Sequence, residues 1–227
     1  MKLFSLFTGG KDSTYALIRA MESGYEVDAT VTFVSENPYS YMFHTPNTKW
    51  TLLQSIAMGL KHYIFKTKGI KEHELEDIYR VFSLMKNLGY EGVVTGAVLS
   101  RYQKSRIDKI ADDVGLESIS PLWGYNQNRL LDEIIEAGIR FMIVRVAALG
   151  LTRDWLGRII SSKEDIDEIK MLAMKYGFNP SGEGGEYETF VIDSPIMGYT
   201  VKIDDFMIVD ERDSFTLIIK NATLIKK

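Results

Sequence analysis

Short apolar runs alternate with longer helical patterns through the first two-thirds of the chain. Leu3–Phe7 reads as a buried strand and Ser13–Ser23 as the helix after it, stopped by Gly24. Asp28–Val34 is rich in β-branched residues and predicts a second strand. Residues 37–46 hold two prolines and read as a loop, Thr48 as the cap of a helix over Lys49–Leu60, and His62–Lys66 as a third strand. An amphipathic helix follows over Glu72–Leu88, a strand over Gly92–Ala97 and a helix over Tyr102–Val114. A short segment near Ser118–Ser120, a helix over Asn128–Ala137 and the apolar run Ile139–Val146 complete the rhythm. It predicts an α/β fold, a parallel sheet covered by helices on both faces. Ligands in such folds sit at the carboxyl ends of the strands, near the topological switch point.

After Gly150 the pattern changes. Ser162–Lys175 reads as a helix capped by Ser161 or Ser162, and a glycine-rich stretch follows at Gly182–Gly185. Thr189–Ile192, Tyr199–Ile203, Phe206–Val209 and Phe215–Ile219 are then short strands at close spacing. The expected organisation is a domain over residues 1–150 and a smaller C-terminal α+β region over 151–227, antiparallel in character.

Composition narrows the function. The chain has 227 residues, 45% hydrophobic and 26% charged, the proportions of a globular protein with a sizeable core. A formal charge of −4 argues against bulk binding to nucleic acid or anionic lipid. The apolar start, Met1–Phe7, is too short for a signal segment, and no apolar run reaches the roughly 18 residues of a spanning helix. A cytoplasmic protein with no membrane partner is expected. With no cysteine, disulfides, thiolate metal sites and cysteine nucleophiles are excluded.

Two stretches hold the candidate chemistry. In Thr8-Gly9-Gly10-Lys11-Asp12-Ser13-Thr14, paired glycines permit a tight turn before a helix whose first N–H groups favour an anion. Lys11 adds a positive charge, and Thr8, Ser13 and Thr14 add hydroxyls: the stretch reads as a phosphate cradle. It is not a Walker A loop, because Ser5 stands at the first glycine position and Asp12 follows the lysine. In Gly182-Glu183-Gly184-Gly185-Glu186-Tyr187-Glu188-Thr189, three carboxylates and an aromatic ring lie beside three glycines. On chemistry alone this is either a loop that binds a cation, with Tyr187 offering a π face, or a solvated acidic turn.

The first stretch resembles the S-G-G-K-D-S loop of the N-type ATP pyrophosphatases, or PP-loop enzymes, with Thr8 keeping the hydroxyl of the usual serine. That resemblance implies a Rossmann-like parallel sheet of the adenine nucleotide alpha-hydrolase type and cleavage of ATP between its α and β phosphates. The second stretch resembles the signature of diphthine–ammonia ligases, a branch of the same superfamily. Further similarity runs through Gly96-Ala97-Val98-Leu99-Ser100, Tyr102-Gln103, Arg106, Pro121-Leu122-Trp123 and Val146–Leu151. Longer relatives carry additional C-terminal domains with no counterpart in this sequence.

The resemblance implies an acyl-adenylate mechanism. ATP activates the carboxylate of diphthine on translation elongation factor 2, and ammonia then displaces AMP to give the amide. ATP and Mg²⁺ are the expected cofactors; the elongation factor and ammonia or ammonium are the expected partners, nucleic acid is not, and a homodimer is the expected assembly. Thr8, Gly9, Gly10, Lys11, Ser13 and Thr14 would hold the phosphates, and Asp12 would bind the metal or orient the loop. Lys11, Asp12, Arg106 and Glu186 form the expected catalytic set. Thr32 and Phe33 would flank adenine, with Val34 in the core, and Gly96 would admit the nucleotide. Tyr102, Gln103 and Arg106 share a helix face, from which Arg106 could pair with a carboxylate or phosphate. His44 would face the mouth of the site, whereas Trp123 is expected in the core. Glu183, Gly184, Gly185, Glu186, Tyr187 and Glu188 would form the acceptor side, binding trimethylammonium or ammonium, with Tyr187 packed on the former. Two other readings are kept: the same chemistry on a tRNA base or small carboxylate, and a nucleotide-binding sensor without catalysis.

Overall fold

The structure, a computed structural model, describes residues 1–37, 46–70 and 73–227. Five parallel strands form the first sheet: β1 (Lys2–Leu6), β2 (Glu26–Ser35), β3 (Lys61–Thr67), β4 (Gly92–Val94) and β5 (Glu117–Ile119). Their order is β3-β2-β1-β4-β5, so the winding reverses between β1 and β4. Helices α1 (Lys11–Glu22), α2 (Thr51–Met58), α3 (His73–Asn87) and α4 (Arg101–Val114) connect them. Then come α5 (Gln127–Glu136), β6 (Arg140–Val146), β7 (Ile159–Ile160), α6 (Lys163–Tyr176), β8 (Tyr187–Asp193), β9 (Tyr199–Glu211) and β10 (Ser214–Lys226).

The second sheet is antiparallel and is built around β6. β8 runs along β6, β7 and β10 pair with other parts of it, and β9 pairs with β10. The apolar run at 139–146 therefore belongs to this sheet and not to the parallel one, ahead of the boundary expected at residue 150. A strand buried on both faces looks alike in either sheet, so its composition does not name its partners. β9 is likewise one strand, where two were expected. Asp204 and Asp205 read as a break, yet a register shift between Ile219 and Asn221 on β10 absorbs the irregularity.

Thr48 does not cap the helix after it. A 3₁₀ turn, Thr48–Trp50, precedes α2, and the residue before it, Asn47, takes a left-handed φ of 69°. Asn47 is committed to the second sheet, donating to the Leu217 carbonyl at 2.9 Å and accepting from the Ile219 N–H at 2.8 Å. Ser162, by contrast, caps α6 as expected, in a reciprocal capping box with Asp165.

Each face of the parallel sheet buries an apolar layer. Phe4 packs edge-on against Phe82 of α3 and against Tyr90, with ring centroids 5.5 and 5.7 Å apart. On the other face Leu3, Tyr15 and Leu17 join Leu130, Phe141 and Val191, so α1 lies in the core shared by the two sheets. That packing brings the start of α1 against β8. Among the described residues no helix is long and apolar enough to cross a membrane.

Candidate active site

The loop between β1 and α1 lies at the switch point, and its geometry follows from its residue types. Gly9 has a φ of 80°, and a Cβ there would lie 2.4 Å from Gln54 Oε1. Its carbonyl accepts from Gln54 Nε2 at 2.9 Å and from the Val191 N–H at 2.8 Å, which docks the loop onto α2 and β8. Gly10 precedes α1 with no side-chain cap, whereas α4, α5 and α6 are capped by Ser100, Asn126 and Ser162. A first turn with no side chain at its N-cap, placed at a switch point, suits an anion.

The hydroxyls divide. Thr8 and Ser13 share a hydrogen bond of 3.1 Å, and Ser13 also reaches the Gly10 carbonyl at 3.1 Å. Thr14 is fully buried and donates to the same carbonyl at 2.9 Å, a bond internal to the helix. Lys11 is only 3% exposed. Its ammonium donates to Asp12 at 2.7 Å and to the Ser181 carbonyl at 2.5 Å, and lies 5.4 Å from the centre of the Tyr187 ring. Its backbone N–H donates to Thr189 Oγ1 at 3.0 Å. Lys11 thus ties the phosphate loop to the second sheet. Asp12 keeps its other oxygen, Oδ1, buried and unpartnered.

Gly96 supports this loop by proximity. A Cβ there would lie 2.9 Å from both Cα and N of Ser13, so the glycine is needed to bring β4 against the start of α1. The pair expected at adenine separates. Thr32 donates to the Phe7 carbonyl at 2.6 Å, while Phe33 is buried in the α3–α4 layer against Phe65, 6.1 Å between centroids. Val34, expected in the core, is half-buried. Alternation along β2 sends these neighbours to opposite faces, and Phe33 is the one that meets the apolar layer.

The acidic loop differs most from its sequence reading. Glu183 accepts from the Leu99 and Ser100 N–H groups at 3.0 and 3.2 Å, binding the loop to the entrance of α4. Burial raises its carboxyl above the ordinary range, and those two backbone donors pull the other way. Glu186 turns inward, accepting from the Asn179 N–H at 3.0 Å and the Gly184 N–H at 2.7 Å. Tyr187 is 3% exposed, donates to the Pro180 carbonyl at 2.7 Å and has Lys11 over its ring, so no face is left for a substrate's trimethylammonium. Burial drives its phenol well above 10. Glu188 pairs with Arg145 at 3.8 Å, and burial raises its carboxyl to about 7. Gly184 and Gly185 form the turn between these carboxylates, Gly185 with a φ of 85°.

On α4, Arg106 stacks on Tyr102 at 3.6 Å from the ring centre and donates to its carbonyl at 3.4 Å. Gln103 lies in the first turn of the helix, its N–H donating to the cap Ser100 Oγ at 3.4 Å. Arg106 lines a cavity of about 520 Å³ between α3 and α4, with Leu75, Tyr79, Arg80, Lys109 and Ile110. Trp123, expected in the core, is 38% exposed beneath the Lys104 ammonium, 5.5 Å from its ring centre. His44 lies outside the described residues. Among the described residues no three His, Asp or Glu side chains gather as a metal site.

Four residues at this junction escaped the sequence reading: Gln54, Arg145, Ser181 and Thr189. Gln54, fully buried, did leave a signal: with Ser55 it is polar inside the otherwise apolar run Leu52-Leu53-Gln54-Ser55-Ile56. Ser181 acts through its carbonyl and Thr189 through one hydroxyl, which no side-chain pattern announces.

The whole chain matches one family. Residues 1–118 match the Diphthamide synthase N-terminal domain and residues 126–225 the Diphthamide synthase C-terminal domain. The diphthine–ammonia ligase of Homo sapiens is 33% identical over 236 residues, covering 95% of this chain and 88% of the human protein. That of Rattus norvegicus is 34% identical over 224 residues, covering 90% and 83%. That of Schizosaccharomyces pombe is 31% identical over 243 residues, all of this chain but 40% of its own length. With both of its halves matched in order, the chain belongs to the diphthamide synthase family of diphthine–ammonia ligases.

Proposed function

We propose that this protein is an ATP-dependent diphthine–ammonia ligase that activates the carboxylate of diphthine on elongation factor 2 as an acyl-adenylate and converts it to the amide. The observation that carries the nucleotide part is the glycine-capped start of α1 at the β1–β4 switch point, ringed by Thr8 and Ser13, with Thr189 already on its first N–H. The β and γ phosphates would take the place of a side-chain cap there, with Gly9 and Gly10 allowing the backbone to approach. Lys11 sits where its ammonium can leave Ser181 and Asp12 for a phosphate oxygen. Asp12 Oδ1, buried and unpartnered, is a donor suited to Mg²⁺, which takes one or two carboxylates and fills its sphere with phosphate oxygens and water. Bound there, the ion would neutralise phosphate charge.

In the first step a diphthine carboxylate oxygen bonds to the α-phosphorus and pyrophosphate leaves. In the second, ammonia attacks the acyl carbon, the bond to AMP breaks, and the nitrogen sheds a proton to give the neutral amide. The protein orients the reactants: the acceptor loop, held by Glu183 to α4 and by Lys11 to the phosphate loop, supplies a wall of backbone glycines along which the diphthine arm can lie. Its carboxylates shape that wall, and their remaining negative field favours the trimethylammonium at longer range. Free ammonia is the simplest nitrogen source, because no cysteine is present to draw it from glutamine. The reaction would take place in the cytoplasm, where the elongation factor works.

The test mixes the protein with ATP, Mg²⁺, an ammonium salt and diphthine-bearing elongation factor, then weighs the factor and identifies the nucleotide. AMP, pyrophosphate and the mass change of one amidation are expected. ADP would refute adenylation. AMP formed only with another acceptor would move the same chemistry to a different substrate.

A further inference from the structure

The end of β6 forms the back of the acceptor loop. Arg145 and Val146 pair with Glu188 and Tyr187 of β8 and with Thr216 and Phe215 of β10, so Arg145 is the middle rung of three strands. Its guanidinium is largely enclosed, and two of its nitrogens serve four groups. Nη1 donates to the Gly185 carbonyl at 3.5 Å and stands 3.8 Å from Glu188; Nη2 donates to Ser214 Oγ at 3.1 Å and stands 3.9 Å from Glu211. Ser214 in turn donates to Glu211 at 2.6 Å. One rung further along, the Ala147 N–H donates to the Glu186 carbonyl at 2.8 Å.

Alternation along β8 separates its side chains. Thr189 and Tyr187 meet Lys11 on the phosphate-loop side, and Glu188 points the other way, to Arg145. Glu188 is therefore no acceptor-side carboxylate but the counter-charge of Arg145. The turn they flank is held on its inner side by the Gly185 N–H, which donates to the Gly182 carbonyl at 3.0 Å, and by Glu186 on the Gly184 N–H. A Cβ on Gly185 would meet nothing within 4 Å, so the side of the turn it faces is open.

We propose that Arg145 is a positioning residue of the ligase: by holding the Gly185 carbonyl with Glu188, it sets the Gly184–Gly185 turn against the phosphate loop and so fixes where the acceptor carboxylate meets the nucleotide. This rests on the amidation reading above. Guanidinium chemistry suits the task, since a planar fork can serve a carbonyl, a hydroxyl and two carboxylates at once, where an ammonium can serve part of that set. The charged groups acting on Glu188 are Arg145 of β6, which favours its charge, and Glu211 of β9, which opposes it. With its carboxyl raised to about 7, the charge that retains Arg145 changes near neutrality.

The test uses the full chain with Arg145→Met, Arg145→Lys and Glu188→Gln. In Arg145→Met, kcat/KM for diphthine-bearing factor should fall about a hundredfold, while the Kd for ATP stays within about twofold. Amide exchange across 182–187 should quicken about tenfold or more, with residues 8–14 unchanged. Arg145→Lys should restore kcat/KM to within about tenfold of the parent. Glu188→Gln should remove an inflection in kcat/KM near pH 7. The proposal is overturned if Arg145→Met exchanges and turns over like the parent, if lysine restores nothing, if ATP binding is lost in step with turnover, or if the inflection survives in Glu188→Gln. Should the parent amidate no diphthine at all, the functional reading fails while the exchange measurement still judges the tether. Arg145→Lys and Glu188→Gln keep the test open if the methionine variant does not fold.

Discussion

The phosphate loop and the acceptor loop are both glycine-rich and both charged, yet they use their polar groups in opposite ways. The phosphate loop begins a helix whose N-cap residue, Gly10, has no side chain to cap it, and its hydroxyls bond to each other and to one carbonyl. Those bonds can be redirected towards a ligand. In the acceptor loop Glu183 and Glu186 already hold backbone N–H groups, and Glu188 holds an arginine. A carboxylate beside flexible glycines meets amide N–H groups before it meets a cation, and a backbone donor left unmade in a buried turn is costly. Acidic clusters in such loops shape the backbone first. Lys11 joins the two loops and belongs to both.

The strongest way to break this comparison is to remove that joint. Lys11→Met should lower the rate of AMP formation about a thousandfold or more, since it takes away a charge on the transferring phosphates. It should also release the Ser181 carbonyl, so amide exchange near 179–182 should quicken even without nucleotide. A variant that loses activity with unchanged exchange would show that Lys11 serves the phosphates alone.

Next in size is Glu186. Glu186→Ala leaves the Asn179 and Gly184 N–H groups without their acceptor and should reduce amidation about a hundredfold with ATP affinity retained. Glu186→Gln keeps one acceptor oxygen and should recover part of that loss, whereas a direct charge contact with substrate would not be recovered. Measuring kcat/KM for the factor and the Kd for ATP in both variants separates the two roles.

These outcomes bear on what the sequence could tell. The turn between β1 and α1 was legible because its geometry lies in local features: a glycine pair and the helix after it. The parallel pairing of the first sheet, from its strand–helix alternation, and the capping of α6 by Ser162 were legible too. The acceptor loop was not, because the partners of Glu183 and Glu188 lie far along the chain, at Leu99, Ser100 and Arg145, and those of Glu186 are backbone N–H groups that no side-chain pattern marks. Phe33 and Val34 show a smaller version of this: alternation fixed that they face apart, but only the packing of α3 and α4 decided which was buried. β6 joined the other sheet because an apolar strand pairs with whatever edge tertiary packing presents.

A steric change sharpens the comparison on the phosphate side alone. Gly96→Ala would place a methyl 2.9 Å from the backbone of Ser13, which cannot swing aside as a side chain would. About 1–3 kcal/mol of destabilisation is expected, a fall in Tm of roughly 2–4 °C for each kcal/mol in a chain of this size. ATP affinity should drop with it, because Ser13 is displaced, while exchange across 182–187 stays as in the parent. Equal loosening of both loops would show that they move as one unit.

The smallest effect sets the two halves against each other in pH. In the parallel half, burial lowers His62 to about 4, below its ordinary 6.5, and its ring lies among the hydroxyls of Thr30, Thr51 and Ser55. The unfolded chain binds this proton first, so the stability His62 contributes is present above pH 6.5 and is lost as pH falls towards 4. In the antiparallel half Glu188 is raised from 4.5 to about 7, so the folded chain binds that proton first. Its contribution is present below pH 4.5 and is lost as pH rises through 7. The two slopes oppose each other between pH 4.5 and 6.5, each limited to about 1.4 kcal/mol per pH unit for one proton. Urea denaturation across that window should show a nearly flat stability in the parent. His62→Gln should leave a stability that falls as pH rises, and Glu188→Gln one that rises. Parallel curves for all three proteins would mean that neither group is held as its surroundings require, and the contrast between the halves would not extend to their titration.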